Sequence, residues 1–385
     1  MRAPRAPLPA RPTFPELFFD LVYVFALIFL SRKLVDDLSW TGAAQTLVLL
    51  LTFTLIWALT AWAGDSLTQD RPLVAPQLIG VMAGSLLMAA MISDAYGRRG
   101  LVFAVTYVTI HLGTGLYYQI FLPSSQSRSR GARILFWEAV AATLWIAGGL
   151  VAGSARLVLW AAGAAVEYTG VSLGWPAPWS AGPLPRETRV VGERISERYR
   201  QFVIIALGVS IFVTGQSFSS GTYTLDRSAA FAVVFVMTAL TWRVYICRAG
   251  DLMTSTLADA KNPHRLNQLT AVTHLIMVVG IIGMAAASQL VIDQPFGDTP
   301  GSWAAVILGS PAIFLLGRAL LDHVLYAQVS RAQLAALPLS AALVAATPVL
   351  PPIMVALIVV VLLAVVVAVD LIAMRTGALT PPELA

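Results

Sequence analysis

Pro351-Pro352-Ile353-Met354-Val355-Ala356-Leu357-Ile358-Val359-Val360-Val361-Leu362-Leu363-Ala364-Val365-Val366-Val367-Ala368-Val369-Asp370 is the stretch that decides the fold class. From Ile353 to Val369 no polar side chain interrupts it. A bilayer-spanning helix needs about 20 mostly apolar residues, and a helix apolar on every face has no side to offer water. The segment therefore reads as membrane-spanning. The whole chain has the same character, with 58% hydrophobic and 12% charged residues and a mean hydropathy of +0.77. Soluble domains carry roughly 25% charged residues. Over 385 residues, so little charge cannot cover a water-facing surface. That excludes a soluble enzyme, a disordered chain and a nucleic-acid binder, and it makes membrane lipids the first expected partner.

The same ruler gives twelve candidate spans, at 15–32, 43–63, 74–93, 100–121, 135–153, 157–173, 202–220, 228–246, 269–291, 302–321, 332–349 and 351–371. Glu167 makes 157–173 the least clear of them. Pro348, Pro351 and Pro352 leave a turn or a kink between the last two, and the turn is favoured because each flanking run is long enough to cross. Counts of ten or eleven stay open. With the N-terminus inside, twelve spans put nineteen of the 25 Lys and Arg on the cytoplasmic side. Arg32, Lys33, Arg98, Arg99, Arg156 and Arg227 remain outside. Such a bias is what the positive-inside rule expects, so both termini are expected in the cytoplasm. The net charge of +5 then reflects loop arginines and needs no polyanionic partner.

The expected fold is thus an all-α, polytopic transmembrane bundle. A basic, proline-rich tail (1–14) precedes a first six-helix half (15–173), and a connecting loop rich in Pro, Gly and Arg (174–201) leads to a second half (202–371) and a short tail (372–385). Glu16 and Asp20 interrupt the first apolar run and no small-residue cleavage site follows it, so that run reads as a retained anchor. Faint self-similarity supports a six-plus-six duplication. Ala58-Leu59-Thr60 recurs as Ala239-Leu240-Thr241, and Glu16 as Glu197. Met88-Ala89-Ala90 recurs as Met284-Ala285-Ala286, and Leu112-Gly113 as Leu308-Gly309. Halves of six helices would share orientation, as in parallel-repeat transporters.

Ionisable side chains at membrane depth need a partner, a wet cavity or an escape to the interface. Glu16 and Asp20 stand four residues apart, on one helix face. Glu16 suits an acidic first turn at the interface; Asp20 lies a turn deeper beside Phe18 and Phe19 and is expected to point into the bundle. Glu193/Glu197 and Arg194/Arg198 form an acidic and a basic stripe before the seventh span. Either the stripes are a solvated face, or Arg198 reaches Asp20 or Glu16 and joins the halves. Glu138 and Glu167 lie inside spans five and six, and Asp370 closes the twelfth near the interface. His111 and His274 fall mid-span, as packing residues or as rough counterparts in a proton path. Arg243 and Arg318 are expected to snorkel. Tyr245, with Trp40, Trp62, Tyr117, Tyr118 and Trp303, fits an aromatic belt at the span ends. The lone Cys247 forms no internal disulfide, and four scattered histidines give no metal-ligand spacing.

Glu16-Leu17-Phe18-Phe19-Asp20-Leu21-Val22, together with Glu197-Arg198-Tyr199 and Phe202 to Ser210, resembles the low temperature requirement A family of bacterial membrane proteins. The resemblance extends over the whole chain, and the Glu-Leu-Phe-Phe-Asp-Leu-Val segment is its most specific part. It implies a multi-pass protein of the bacterial inner membrane, and it brings no established biochemical activity with it. Where the family pattern carries an acidic residue after Ala206-Leu207-Gly208, this chain has Val209.

No P-loop, zinc-protease helix or dinucleotide fingerprint is present, so no enzyme activity and no cofactor is expected. The leading expectation is a secondary transporter or permease for a small solute. Asp20, Glu16, Arg198, Glu197, His111 and His274 are its candidate substrate- and ion-binding residues. A non-transporting membrane-stress or lipid-interacting scaffold is the alternative, and an ion channel a more distant one.

Overall fold

The computed structural model describes residues 14–66, 71–121, 125–179, 191–249 and 263–376. Every regular element among them is a helix, as lipid requires of a chain that must satisfy its backbone hydrogen bonds internally. In chain order they are α1 Phe14–Asp36, α2 Trp40–Ser66, α3 Arg71–Ala90, α4 Gly100–Phe121, α5 Ser125–Leu150 and α6 Ser154–Leu173. The second set is α7 Val191–Ser219, α8 Leu225–Ala249, α9 Pro263–Asp293, α10 Gly301–Tyr326, α11 Arg331–Leu343 and α12 Pro352–Arg375. Short 3-10 turns occupy Ile92–Asp94 and Val344–Val349. The protein is an all-α membrane protein: eight of these helices are long and apolar enough to cross a bilayer.

Each expected span has a helix, with shifted ends. The seventh begins at Val191 rather than 202, because the i, i+4 charge stripes continue the helix into what reads as a loop. The fifth starts at Ser125, ten residues early, on a polar extension. The eleventh is the shortest. Its 13 residues rise only about 20 Å, and the 3-10 turn that follows adds roughly 12 Å. The prolines do form a turn: α11 and its 3-10 extension end at Val349, and Pro352 opens α12 at the position where its missing N–H costs nothing.

Within residues 14–173, α1 packs on α2 and α3, α3 on α4, α4 on α5, α5 on α6, and α6 returns to α2. In residues 191–375 the same order recurs helix for helix: α7 on α8 and α9, α9 on α10, α10 on α11, α11 on α12, and α12 back on α8. The two sets meet where α1 and α2 face α7 and α9. By this order α9 matches α3. His274, on α9, is therefore not the counterpart of His111, on α4.

Close approach rather than apolar matching fixes the crossings, as expected where lipid removes the hydrophobic drive between helices. At the α9–α10 crossing a Cβ on Gly280 would lie 2.6 Å from the Phe314 backbone nitrogen, and one on Gly317 would lie 2.8 Å from that of Met277. Gly84, on α3, lies against the Ile110 side chain of α4, where a Cβ would stand 2.7 Å from its Cγ1. Three left-handed residues, Gly174, Trp175 and Ala327, end α6 and α10. The turn between α5 and α6 is closed by Arg156, one of the six charges expected in outer loops. Its guanidinium is buried and donates to the carbonyls of Ala95, Gly97, Gly148, Gly149 and Val151.

Candidate functional site

Of three buried polar clusters, the first and third lie toward one end of the bundle, where α1, α7 and α11 begin and α2, α10 and α12 end, and the second lies near the middles of α4 and α5. The first joins the two helix sets. On α1 the alternation of the Glu-Leu-Phe-Phe-Asp segment turns Phe18 and Leu21 outward and Phe19 and Asp20 inward. Asp20, 3% exposed, pairs with Arg198 of α7 at 3.3 Å and accepts a hydrogen bond of 2.9 Å from the Trp57 indole of α2. The Arg198 guanidinium also sits 5.4 Å from the centre of the Trp57 ring, a cation–π contact. Phe202 stacks on that indole at 4.5 Å. The sharper expectation for Arg198 is thus the one found. Glu16 lies where side chains are not described. Glu197 stays away from the pair, at the edge of the bundle, bonded to Arg200 at 3.3 Å.

The second cluster lies between α4, α5 and α6. His111 Nδ1 is 3.0 Å from Glu138 Oε2, and Glu167 completes a group whose ligating atoms all fall within 4.8 Å of one another. All three side chains are buried. The Tyr107 hydroxyl, one turn before His111, donates to Glu167 Oε2 at 2.7 Å. Trp145 packs against the Tyr107 ring at 4.5 Å, while the Tyr107 and His111 rings lie 4.3 Å apart. A cavity of about 40 Å³ reaches this group, lined by Ile56 and Thr60 of α2, His111 and Thr114 of α4, and Ile134 and Glu138 of α5. That is room for roughly two or three waters. One turn of α2 therefore serves both clusters, Trp57 bonding Asp20 while Ile56 and Thr60 line the cavity.

The third cluster lies between α10, α11 and α12, the helices that match α4, α5 and α6 in packing order. Arg318 donates to Asp322 at 2.6 Å. Gln333 bridges Asp322 and Asp370 at 3.4 and 3.3 Å, and Ser330 donates to Asp370 at 2.5 Å. Arg318, Asp322 and Gln333 have no exposed surface, and Asp370 has 1%. Two expectations fail here. Arg318 does not snorkel, because Asp322 sits one turn further along the same helix. Asp370 is not interfacial, because the start of α11 folds over it.

His274 is buried apart from His111. Its Nδ1 lies 2.8 Å from the Thr270 carbonyl and its Nε2 lies 3.2 Å from the Tyr245 hydroxyl. Tyr245 is accordingly a core residue and not part of an aromatic belt. Sequence reading names Glu138 and Glu167 without grouping them with His111. It misses Trp57 and Tyr107, although an indole and a phenol within apolar spans carry polar atoms that need partners.

The sequence profile described as bacterial low temperature requirement A protein matches residues 11–368. An uncharacterized protein of Rhizobium meliloti (strain 1021) is 34% identical over 311 residues, covering 80% of this chain and 76% of that protein. No solved structure matches. The chain belongs to the bacterial low temperature requirement A family of membrane proteins.

Proposed function

We propose that this protein is a secondary transporter of the bacterial inner membrane. It crosses the bilayer twelve times with both ends in the cytoplasm, is built from two duplicated six-helix halves, and moves a small solute with protons. The observation that carries the reading is the pairing of buried charge with a cavity about a single turn of α2. On one side that turn holds the Asp20–Arg198 pair that joins the halves. On the other it lines the space beside His111 and Glu138. Duplicated halves that rock about a shared charged seam are a known way to alternate access, and the repeated packing order supports this. The carboxylates and imidazole are groups that take up and release protons. No chemical step is assigned to them, so the reading is of a carrier and not an enzyme.

The test is flux. Protein reconstituted in vesicles that hold a pH-sensitive dye should move protons, and Asp20→Asn should change the rate and its pH dependence. Unchanged flux and pH dependence in correctly folded Asp20→Asn would end the assignment. A second reading, a non-transporting scaffold that engages lipids, is favoured by one observation: Asp20 does not line the cavity, and Trp57 and Phe202 seal its ion pair. On that reading Asp20→Asn lowers the yield of folded protein and changes nothing else.

A further inference from the structure

Glu138 and Glu167 place two carboxylates within 4.8 Å, each at most 2% exposed, among the rings of Tyr107, Trp145 and His111. With a neutral imidazole the group carries two negative charges that burial heavily disfavours. The third cluster shows how the same problem is solved elsewhere in the molecule. There, too, three consecutive helices bring two carboxylates together, Asp322 and Asp370, and Arg318 supplies the positive charge from within the chain. Beside Glu138 and Glu167, no arginine or lysine is paired among the described residues. The balance is left to protons, one on His111 included, or to a bound cation.

The geometry points to the cation. We propose that His111, Glu138 and Glu167 bind one divalent transition-metal ion of the Zn2+ or Mn2+ kind. His111 Nδ1 and Glu138 Oε2 are 3.0 Å apart, yet neither Glu138 oxygen makes a hydrogen bond of proper geometry. Together with a Glu167 oxygen, these atoms all lie within 4.8 Å of one another. Ligands around one such ion, each about 2.0–2.2 Å from it, stand roughly 3–4 Å apart, so the group needs to close only slightly. Tyr107 holds the Glu167 carboxylate by a hydrogen bond, the outer-shell support that metal-ligating carboxylates receive. His111 Nε2 is also without a partner, and its side chain lines the adjoining cavity, which gives the ion its way in. One imidazole and two carboxylates suit a transition metal. Ca2+ and Mg2+ prefer oxygen ligands alone. The site does not depend on the transport reading, because binding is measured on protein outside any vesicle.

The experiment is titration of Zn2+, and separately Mn2+, into chelator-treated full-length protein in detergent, with bound metal counted per chain. One ion per chain is expected, held more weakly as pH falls because protons compete for the ligands. Glu138→Gln and Glu167→Gln should each weaken binding by on the order of tenfold or more. Tyr107→Phe, which keeps all three ligands, should weaken it by about 10–100-fold. Asp370→Asn, in the third cluster, should bind as wild type does. If the wild type binds neither metal, or if Glu138→Gln and Tyr107→Phe bind as the wild type does, the proposal is overturned. In that case protons alone balance the two carboxylates.

Discussion

Trp57 is the residue on which the joint between the helix sets turns, since its indole both bonds Asp20 and lies against Arg198. Trp57→Phe keeps a ring against Phe202 but deletes the hydrogen bond to a buried carboxylate. It should lower stability by about 1.5–3 kcal/mol in denaturant unfolding in detergent. A loss below about 0.5 kcal/mol would mean the indole N–H is dispensable. Arg318 makes the complementary case. Arg318→Met strands the Asp322 carboxylate without its cation and should cost about 3–5 kcal/mol, and adding Asp322→Leu should recover much of that. A double variant no more stable than the single one would show that packing, not charge, dominates there. Asp20 and Arg198 are both legible in the sequence, because a carboxylate a turn inside the lipid and a basic stripe at the start of α7 each demand a partner. The burial of Arg318 and Asp370 is not. Both sit near helix ends, where an escape to the interface is always available on paper, and only the fold shows Asp322 holding Arg318 and the start of α11 covering Asp370.

Among the helices, the glycines that matter are those at crossings. Gly280→Ala would set a Cβ 2.6 Å from the Phe314 backbone and should cost about 1–3 kcal/mol as α9 and α10 are pushed apart. Gly208, on α7, has open space where a Cβ would lie, with nothing within 4 Å, and Gly208→Ala should be neutral or raise stability by up to about 1 kcal/mol. Thermal unfolding of the two variants side by side checks both, and equal shifts would contradict the close-crossing account. The existence and rough position of each of the twelve α-helices among the described residues can be read from apolar length alone. Helix orientation cannot. A helix such as α12, with Leu363 fully buried and Val361 61% exposed, is apolar on all sides and carries no stripe to tell core from lipid. The extension of α7 back to Val191 is hidden by charge, which marks loops in a hydropathy reading but also decorates the ends of helices. The spacing of Gly84 and Gly280, equal to that of the paired Met-Ala-Ala triplets, is a readable sign of the repeated α3–α4 and α9–α10 crossings.

For the whole molecule, the proposed twelve crossings require both ends on one side. Reporter fusions at residue 1 and residue 385 should both read as cytoplasmic, and opposite readings would remove one crossing from the account. The matching packing order of the two helix sets places an arginine-neutralised acidic cluster in one and a cluster without such an arginine in the other. On the proposed reading one set is self-sufficient, and the other takes an incoming cation or proton. That asymmetry, beside a charged seam joining the two, is the physical basis for reading a carrier here. It is tested most directly in sealed proteoliposomes that hold a pH-sensitive dye and carry an imposed inside-negative potential. The account predicts that the wild type acidifies the interior faster than protein-free vesicles do, and that Glu138→Gln slows it toward that baseline. Wild-type vesicles indistinguishable from protein-free ones would contradict it.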